Sequence, residues 1–252
     1  MTFQEYLIKW YGQRIRVLTE YKSEDLFLNL EKIVDDLEPN FDKCKSCIAS
    51  KFRQDIPFWV GSHRNKKLMV IAQDAGKGEE DYGLNTVFSI HWAQIDKEKY
   101  FDASPRHEGY YNLFKGFMGA EHFLNDIYFT DIVKCAYSTD PSISLSIPIC
   151  KDDLFYEISE VNPLSVIFMG IAAQRTFLKL LNDQDENLSL IFSESCFINQ
   201  RTSISFKHYL FYQRNIFFIP HLIGNLHISK EHRDGFDKFV LAISSYISSK
   251  NK

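Results

Sequence analysis

Between residues 67 and 250, short apolar runs alternate with stretches of helical periodicity. The runs are "KLMVIAQ" (67–73), "DIYFTDIV" (126–133), "LSVIFMG" (164–170) and "NIFFIP" (215–220). Each is too short for a buried helix and rich in β-branched or aromatic residues, so each predicts a strand. Helical patterns fall near 109–124, 147–160, 171–182 and 231–248. Strands that alternate with helices predict βαβ units. The expected fold class is therefore α/β: a three-layer α/β/α architecture around a mainly parallel four-stranded central sheet. Two more helical patterns open the chain, the second capped by Ser23 ahead of "EDLFLNLEKIVDDL". No repeat, low-complexity tract or Gly/Ser linker interrupts the text. The whole chain, 1–252, is expected as a single domain, with the helical segment 1–43 packed on it.

An open parallel sheet binds ligands outside the carboxyl ends of its strands. Three of the four runs finish there on polar or small residues: Gln73-Asp74, Asp131 close to its run's end, and Pro220-His221. The run "YFTDIVKC" (128–135) poses the sharpest question. It reads as a buried strand, yet it carries a carboxylate at Asp131 and closes on Cys135. A carboxylate in a dry core needs a partner or a proton, so such a strand usually has a reason for it.

With 252 residues, 45% hydrophobic and 15% aromatic, the chain can bury one large core. No apolar run approaches a membrane span, and "MTFQEYLIKWYGQRIR" lacks the charged-then-apolar order of a secretory signal. The expectation is a cytoplasmic protein with no membrane partner. The formal net charge of −4 supplies no global field to attract a polyanion, so a nucleic-acid site would need a local basic patch such as "SHRNKK" (62–67).

Five cysteines in a cytoplasmic chain raise the odds of metal or redox chemistry over disulfides. Cys44 and Cys47 form a C-x2-C pair whose spacing lets two thiolates of one loop reach one metal. Cys135 closes a strand. Cys150 opens a helix whose first turn is marked by Pro148. Four thiolates suit zinc or an iron–sulfur cluster, and buried structural thiols are the simpler alternative. Cys196 has no partner at a telling distance and reads as an ordinary thiol.

Taken in order, "CKSC", "VIAQDAGKGEED", "YFTDIVKC", "CKDDLFYEISEVNPLSVIFMGIAAQRTFL" and "FFIPHL" resemble the motifs of the uracil-DNA glycosylase superfamily, and most closely its 4Fe–4S-containing branch. The resemblance runs from about residue 44 to about 225 and lies in the order and spacing of several weak motifs. It implies that Cys44, Cys47, Cys135 and Cys150 hold a 4Fe–4S cluster, with zinc as the alternative. A centre closed by four cysteines leaves no coordination position for substrate, so its expected role is structural.

Members of that superfamily flip a nucleotide out of the DNA duplex and cleave the base–sugar bond with water. The resemblance implies that Asp74, in "AQDAG", orients that water, and that His221, in "IPHLIGN", donates to O2 of the departing base. Asp74 could also cap a helix after its strand, and the two roles are not exclusive. His227 lies close enough to His221 to compete for its role. Leu222-Ile223 stand where the family has Pro-Ser, and an apolar pair there could wedge into the base stack. Phe88 is the candidate to stack on the flipped base, with Tyr82 as substitute and a core role as the alternative. Gln73 and Asn225 complete the expected substrate contacts. The long segment 85–125 is expected to shape a lid or specificity pocket, with Arg106 and His107 available to phosphate or sugar.

Two departures bear on the substrate. The family has asparagine at the Asp131 position, where it reads the uracil edge. An ionised aspartate only accepts hydrogen bonds, so it repels O4 of uracil and suits the N4 amino group of cytosine. A protonated Asp131 could still donate to O4. Gly76 stands where uracil-specific members carry a tyrosine against C5 of the pyrimidine, and glycine leaves room for a C5 substituent. Together these imply a glycosylase for a modified cytosine, such as the hydroxymethyl or glucosyl-hydroxymethyl cytosine of phage DNA, leaving an abasic site. A conventional uracil glycosylase and a non-catalytic iron–sulfur DNA-binding module are the alternatives. DNA is the expected partner, and a monomer the expected state.

Overall fold

The structure, a computed structural model, describes residues 2, 5, 47, 58–59, 62–74, 113–119, 124–134, 143–170, 173, 175, 177–178, 188–199, 202–211, 214–219, 240–241, 243–245 and 247. Among them seven strands form one sheet: β1 (Phe58–Trp59), β2 (Leu68–Asp74), β3 (Ile127–Val133), β4 (Ser165–Met169), β5 (Leu188–Asn199), β6 (Thr202–Phe211) and β7 (Arg214–Ile219). Their spatial order is β1-β3-β2-β4-β7-β6-β5. The four central strands, β3-β2-β4-β7, are parallel. They are the four apolar runs, each within a residue or two of its expected span. The fold is α/β, as the alternation of runs and helical patterns predicts.

The central strands are apolar on both faces over most of their length because no face of a covered parallel sheet meets water. Every residue of β3 and β4 is buried, and so is all of β7 after Arg214. In register, Leu68 pairs with Ser165 and Ile71 with Phe168, while Phe168 pairs with Phe218. That last pairing puts two rings on one face, where Phe177 meets both at 4.3 and 5.9 Å. Beyond β2, Trp59 of β1 stacks on Tyr128 of β3 at 5.4 Å. Phe129, on the other face of β3, meets Phe114 edge-on at 5.2 Å. Residues 113–118 are helical and end at Gly119, whose φ of 66° suits the left-handed stop of a helix.

The sheet extends beyond the four expected strands. β5 and β6 form an antiparallel hairpin, and β6 pairs antiparallel with β7. Two register shifts, at Leu190/Phe192 and Phe197/Asn199, interrupt the hairpin's alternation. The connection at Gln200-Arg201 lacks the glycine or asparagine that marks most two-residue hairpins, so neither strand stands out in the text.

The helix expected near 147–160 runs from Ile143 to Val161 (α1) and carries Pro148 inside it. Pro148 is therefore not the first helical residue. It sits in the second turn, where it cannot donate the bond from residue 148 back to the carbonyl of residue 144 and its ring crowds that carbonyl.

The starts of three parallel strands are tied together by side chains. Asn65 and Asn162 both adopt positive φ, 57° and 47°, which asparagine tolerates better than most residues. The Asn162 amide donates to Asn65 Oδ1 at 3.2 Å, and Arg214 donates to Asn162 Oδ1 at 2.8 Å. At the far end of β4, Gly170 turns the chain with φ of 98° and donates its N–H to the Ile219 carbonyl at 2.8 Å.

The chain separates into two compact units. One comprises Met1–Ile56, Asp74–Leu84 and Asp131–Glu160; the other comprises Pro57–Gln73, Asn85–Thr130 and Val161–Lys252. Most of the sheet belongs to the second. The first holds Asp74, the end of β3, Cys47 and α1.

Candidate functional site

The side of α1 turned away from solvent is not an ordinary apolar stripe. Ser146, Cys150, Asp153, Leu154, Glu157 and Val161 are all buried and recur at the three- and four-residue spacing of one helix face. Three of the six carry polar or charged groups and one carries a thiol. Burying such groups is unfavourable unless they find partners, and the structure supplies several.

Two of those partners come from distant parts of the chain. Cys47 Sγ lies 3.3 Å from Ser146 Oγ, with both residues buried. The Lys134 backbone N–H, one residue past β3, donates to the Cys150 thiol. Neither Cys47 nor Cys150 forms a disulfide, and Cys47 acts electrostatically on Cys150. Burial pushes the Cys150 thiol up to about 11, against the opposing pull of the Lys134 N–H and ammonium. At neutral pH the metal-free thiol is protonated, so a metal that takes this sulfur must displace its proton.

The Lys134 side chain continues the network. Its Nζ meets Glu157 Oε2 at 2.8 Å, and the two side chains are only 1% and 0% exposed. A pair this deeply buried needs close geometry to offset the loss of hydration. It joins the end of β3 to α1 in the turns that follow Cys150. Sequence reading missed Ser146, Lys134 and Glu157. The signal was present for Glu157, since Cys150, Asp153 and Glu157 follow helical spacing within the helix expected near 147–160, whereas Ser146 lies just before that span.

Asp131 lies near the carboxyl end of β3 and is 8% exposed. Alternation along the strand puts it on the same face as Phe129. Asp74 closes the neighbouring parallel strand β2. The order of the four parallel strands matters here. The chain passes from β2 to β3 on one side, then crosses to β4 on the other side of β2. The reversal puts the topological switch point of the sheet between β2 and β4, so the carboxyl end of β2, where Asp74 stands, borders it, while β3 with Asp131 lies on the other side of β2.

Of the residues singled out from sequence, Cys47, Cys150 and Asp131 are described in full. The side chains of Gln73 and Asp74 lie outside the described residues, as do Cys44, Gly76, Tyr82, Phe88, Arg106, His107, Cys135, His221, Leu222, Ile223, Asn225 and His227. Among the described residues no group of three metal-ligating side chains converges; Cys47 and Cys150, the two described cysteines of the expected four, are both buried, and Cys47 acts electrostatically on Cys150.

The basic stretch 62–67 does not form the patch that its letters suggest. Lys66 is buried and donates to the Asn125 carbonyl at 2.6 Å, and burial lowers its pKa. Lys67 pairs with Asp126 at 2.9 Å, and Arg64 is exposed. All of them precede β2. Asp74 lies at the opposite end of that strand, about 20 Å away at the usual rise of a strand. No helix among the described residues is long and apolar enough to cross a membrane. A scan against protein-family models finds no match to the chain, and a search of curated proteins finds none either.

Proposed function

We propose that this chain is a DNA glycosylase that flips out a modified cytosine and hydrolyses its base–sugar bond. The observation that carries the reading is Asp131: a buried carboxylate near the carboxyl end of a parallel strand, beside β2, which Asp74 closes and whose end borders the switch point. Ligands of open α/β sheets bind there. A carboxylate at that place offers acceptors alone, and the N4 amino group is the donor that distinguishes cytosine from uracil or thymine.

The chemistry asked of the site is addition of water across the bond from sugar to base. The hydroxyl goes to the sugar carbon, and the base leaves with the bonding electrons and takes up the proton. Charge therefore develops as a cationic sugar beside an anionic base. In this reading Asp74 orients the water and stabilises the sugar cation, and His221 donates to O2 of the base. Phe88 stacks on the extruded ring, while Gly76, Gln73 and Asn225 shape its surroundings. DNA is the partner, and the protein works as a cytoplasmic monomer.

The cysteine pattern supports an iron–sulfur reading, with two of its four donors among the described residues. Cys47 and Cys150 come from different parts of the chain and are both buried, and the N–H that reaches Cys150 belongs to Lys134, the residue just before Cys135. Cys44 stands three residues before Cys47 in the same C-x2-C pair. Bound there, a 4Fe–4S cluster would be held by Cys44, Cys47, Cys135 and Cys150 and would supply structural cross-linking rather than a place for substrate.

A base-release assay tests the proposal, using matched duplexes that contain cytosine, hydroxymethylcytosine, glucosylated hydroxymethylcytosine or uracil. Release of a modified cytosine, abolished by Asp74→Asn, supports it. Release confined to uracil makes the chain a conventional uracil glycosylase. DNA binding without release of any base makes it a non-catalytic module.

A further inference from the structure

Lys134 is the first residue past β3, and α1 holds it twice. Its backbone N–H donates to the Cys150 thiol, and its ammonium meets Glu157 Oε2 at 2.8 Å. All three residues are buried. Cys150 and Glu157 stand two helical turns apart on one face of α1, about 10 Å along its axis at the usual rise. Asp131 lies three residues before this tether and two before the end of its strand. Strand ends open locally unless something fixes them. A hydrogen bond weakens steeply with distance and angle, so a carboxylate that selects a base needs its strand held to a fraction of an ångström.

We propose that Lys134 and Glu157 are positioning residues: they hold the end of β3 so that Asp131 keeps the aim that separates the amino group of a cytosine from the carbonyl of uracil. The inference rests on the reading of Asp131 as the group that meets the base, and it asks nothing of a metal. Stability alone gives little reason for an ionic pair here, because apolar residues of similar size in both places are often as stable. What apolar residues lack is direction. A charged, hydrogen-bonded pair has a narrow range of close geometries, whereas packed hydrocarbon loses its unique arrangement before it loses stability.

The test is a ratio: kcat/KM for release of a modified cytosine over that for uracil, measured on matched duplexes with the full chain. Loss of folded protein lowers both terms alike and leaves the ratio where it was. Lys134→Met/Glu157→Leu removes the tether, and its ratio is expected to fall by about tenfold or more. Phe177→Leu, which loosens the packing against Phe168 and Phe218, is expected to lower activity on both substrates and keep the ratio. A double variant with the parent's ratio overturns the proposal and leaves the role of Asp131 standing, and so does an equal fall in Phe177→Leu. Should the double variant not purify folded, Glu157→Gln and Glu157→Leu decide. Both remove the charge, but only glutamine keeps an acceptor for Lys134, so only leucine should lose the ratio; equal ratios in the two overturn the proposal. A parent chain that releases no base, or uracil alone, overturns the reading of Asp131 and this inference with it.

Discussion

Lys134 Nζ lies 2.8 Å from Glu157 Oε2, and water reaches neither side chain to any useful extent. Removing one partner takes the opposite charge away from a buried ion, which typically costs about 3–5 kcal/mol, whereas replacing both with apolar groups of similar size is often neutral. Lys134→Met alone is therefore expected to lower the denaturation free energy by about that amount in urea titrations, and the Lys134→Met/Glu157→Leu double variant to recover most of it. A single variant as stable as the parent would mean that the pair is not desolvated in solution.

Metal content follows from the thiols. Anaerobically purified protein is expected to be brown and to hold about four irons per chain. Substitution of Cys47, Cys150, Cys44 or Cys135 by serine should remove the colour, whereas Cys196→Ser should keep it. Iron analysis and the visible absorption spectrum read the outcome.

Metal-free protein should lose stability in alkali through Cys150. Folding raises the pKa of this thiol to about 11, so the folded state holds a proton that the unfolded chain has already released. The stabilisation is fully present below the ordinary thiol range and is lost as pH rises toward 11, to a total on the order of 2–3 kcal/mol. Denaturation curves of the apoprotein at pH 8 and pH 11, set against Cys150→Ala, isolate this contribution from other alkaline titrations.

Asp131→Asn exchanges one acceptor for a group that can also donate. The variant should lose activity on cytosine derivatives and gain it on uracil, with a change in preference of about 1–3 kcal/mol, or roughly fivefold to 150-fold in relative kcat/KM. Asp74→Asn should instead lower kcat on every substrate by a factor on the order of 10² to 10⁴ while DNA binding persists. If Asp131→Asn leaves the preference where it was, Asp131 does not read the base.

Arg64→Glu provides a control on where DNA lies. Arg64 precedes β2, at the end of the strand opposite Asp74. Reversing its charge is expected to leave both DNA affinity and its salt dependence unchanged, as measured by fluorescence anisotropy between 50 and 200 mM salt. A reduced salt slope would move the nucleic-acid surface to the amino ends of the strands.

The four central strands were determined by local sequence. Runs such as "LMVIAQD" and "SVIFM" are apolar on both faces and too short for helices, and only a covered parallel sheet accommodates them. The hairpin β5–β6 was not legible, because two register shifts break its alternation and no turn dipeptide marks its bend. Helical periodicity carried the face of α1 on which Cys150 and Glu157 lie, and the position of Asp131 near a strand end was explicit in the text. What tertiary structure alone decided is which of these groups meet. Letters do not distinguish Lys66, buried against a carbonyl, from Lys134, buried against Glu157, or either from the exposed Arg64. Periodicity is local and survives in a one-dimensional reading. The pairing that makes a buried charge or thiol tolerable joins residues far apart in the chain, and it exists only once the chain has folded.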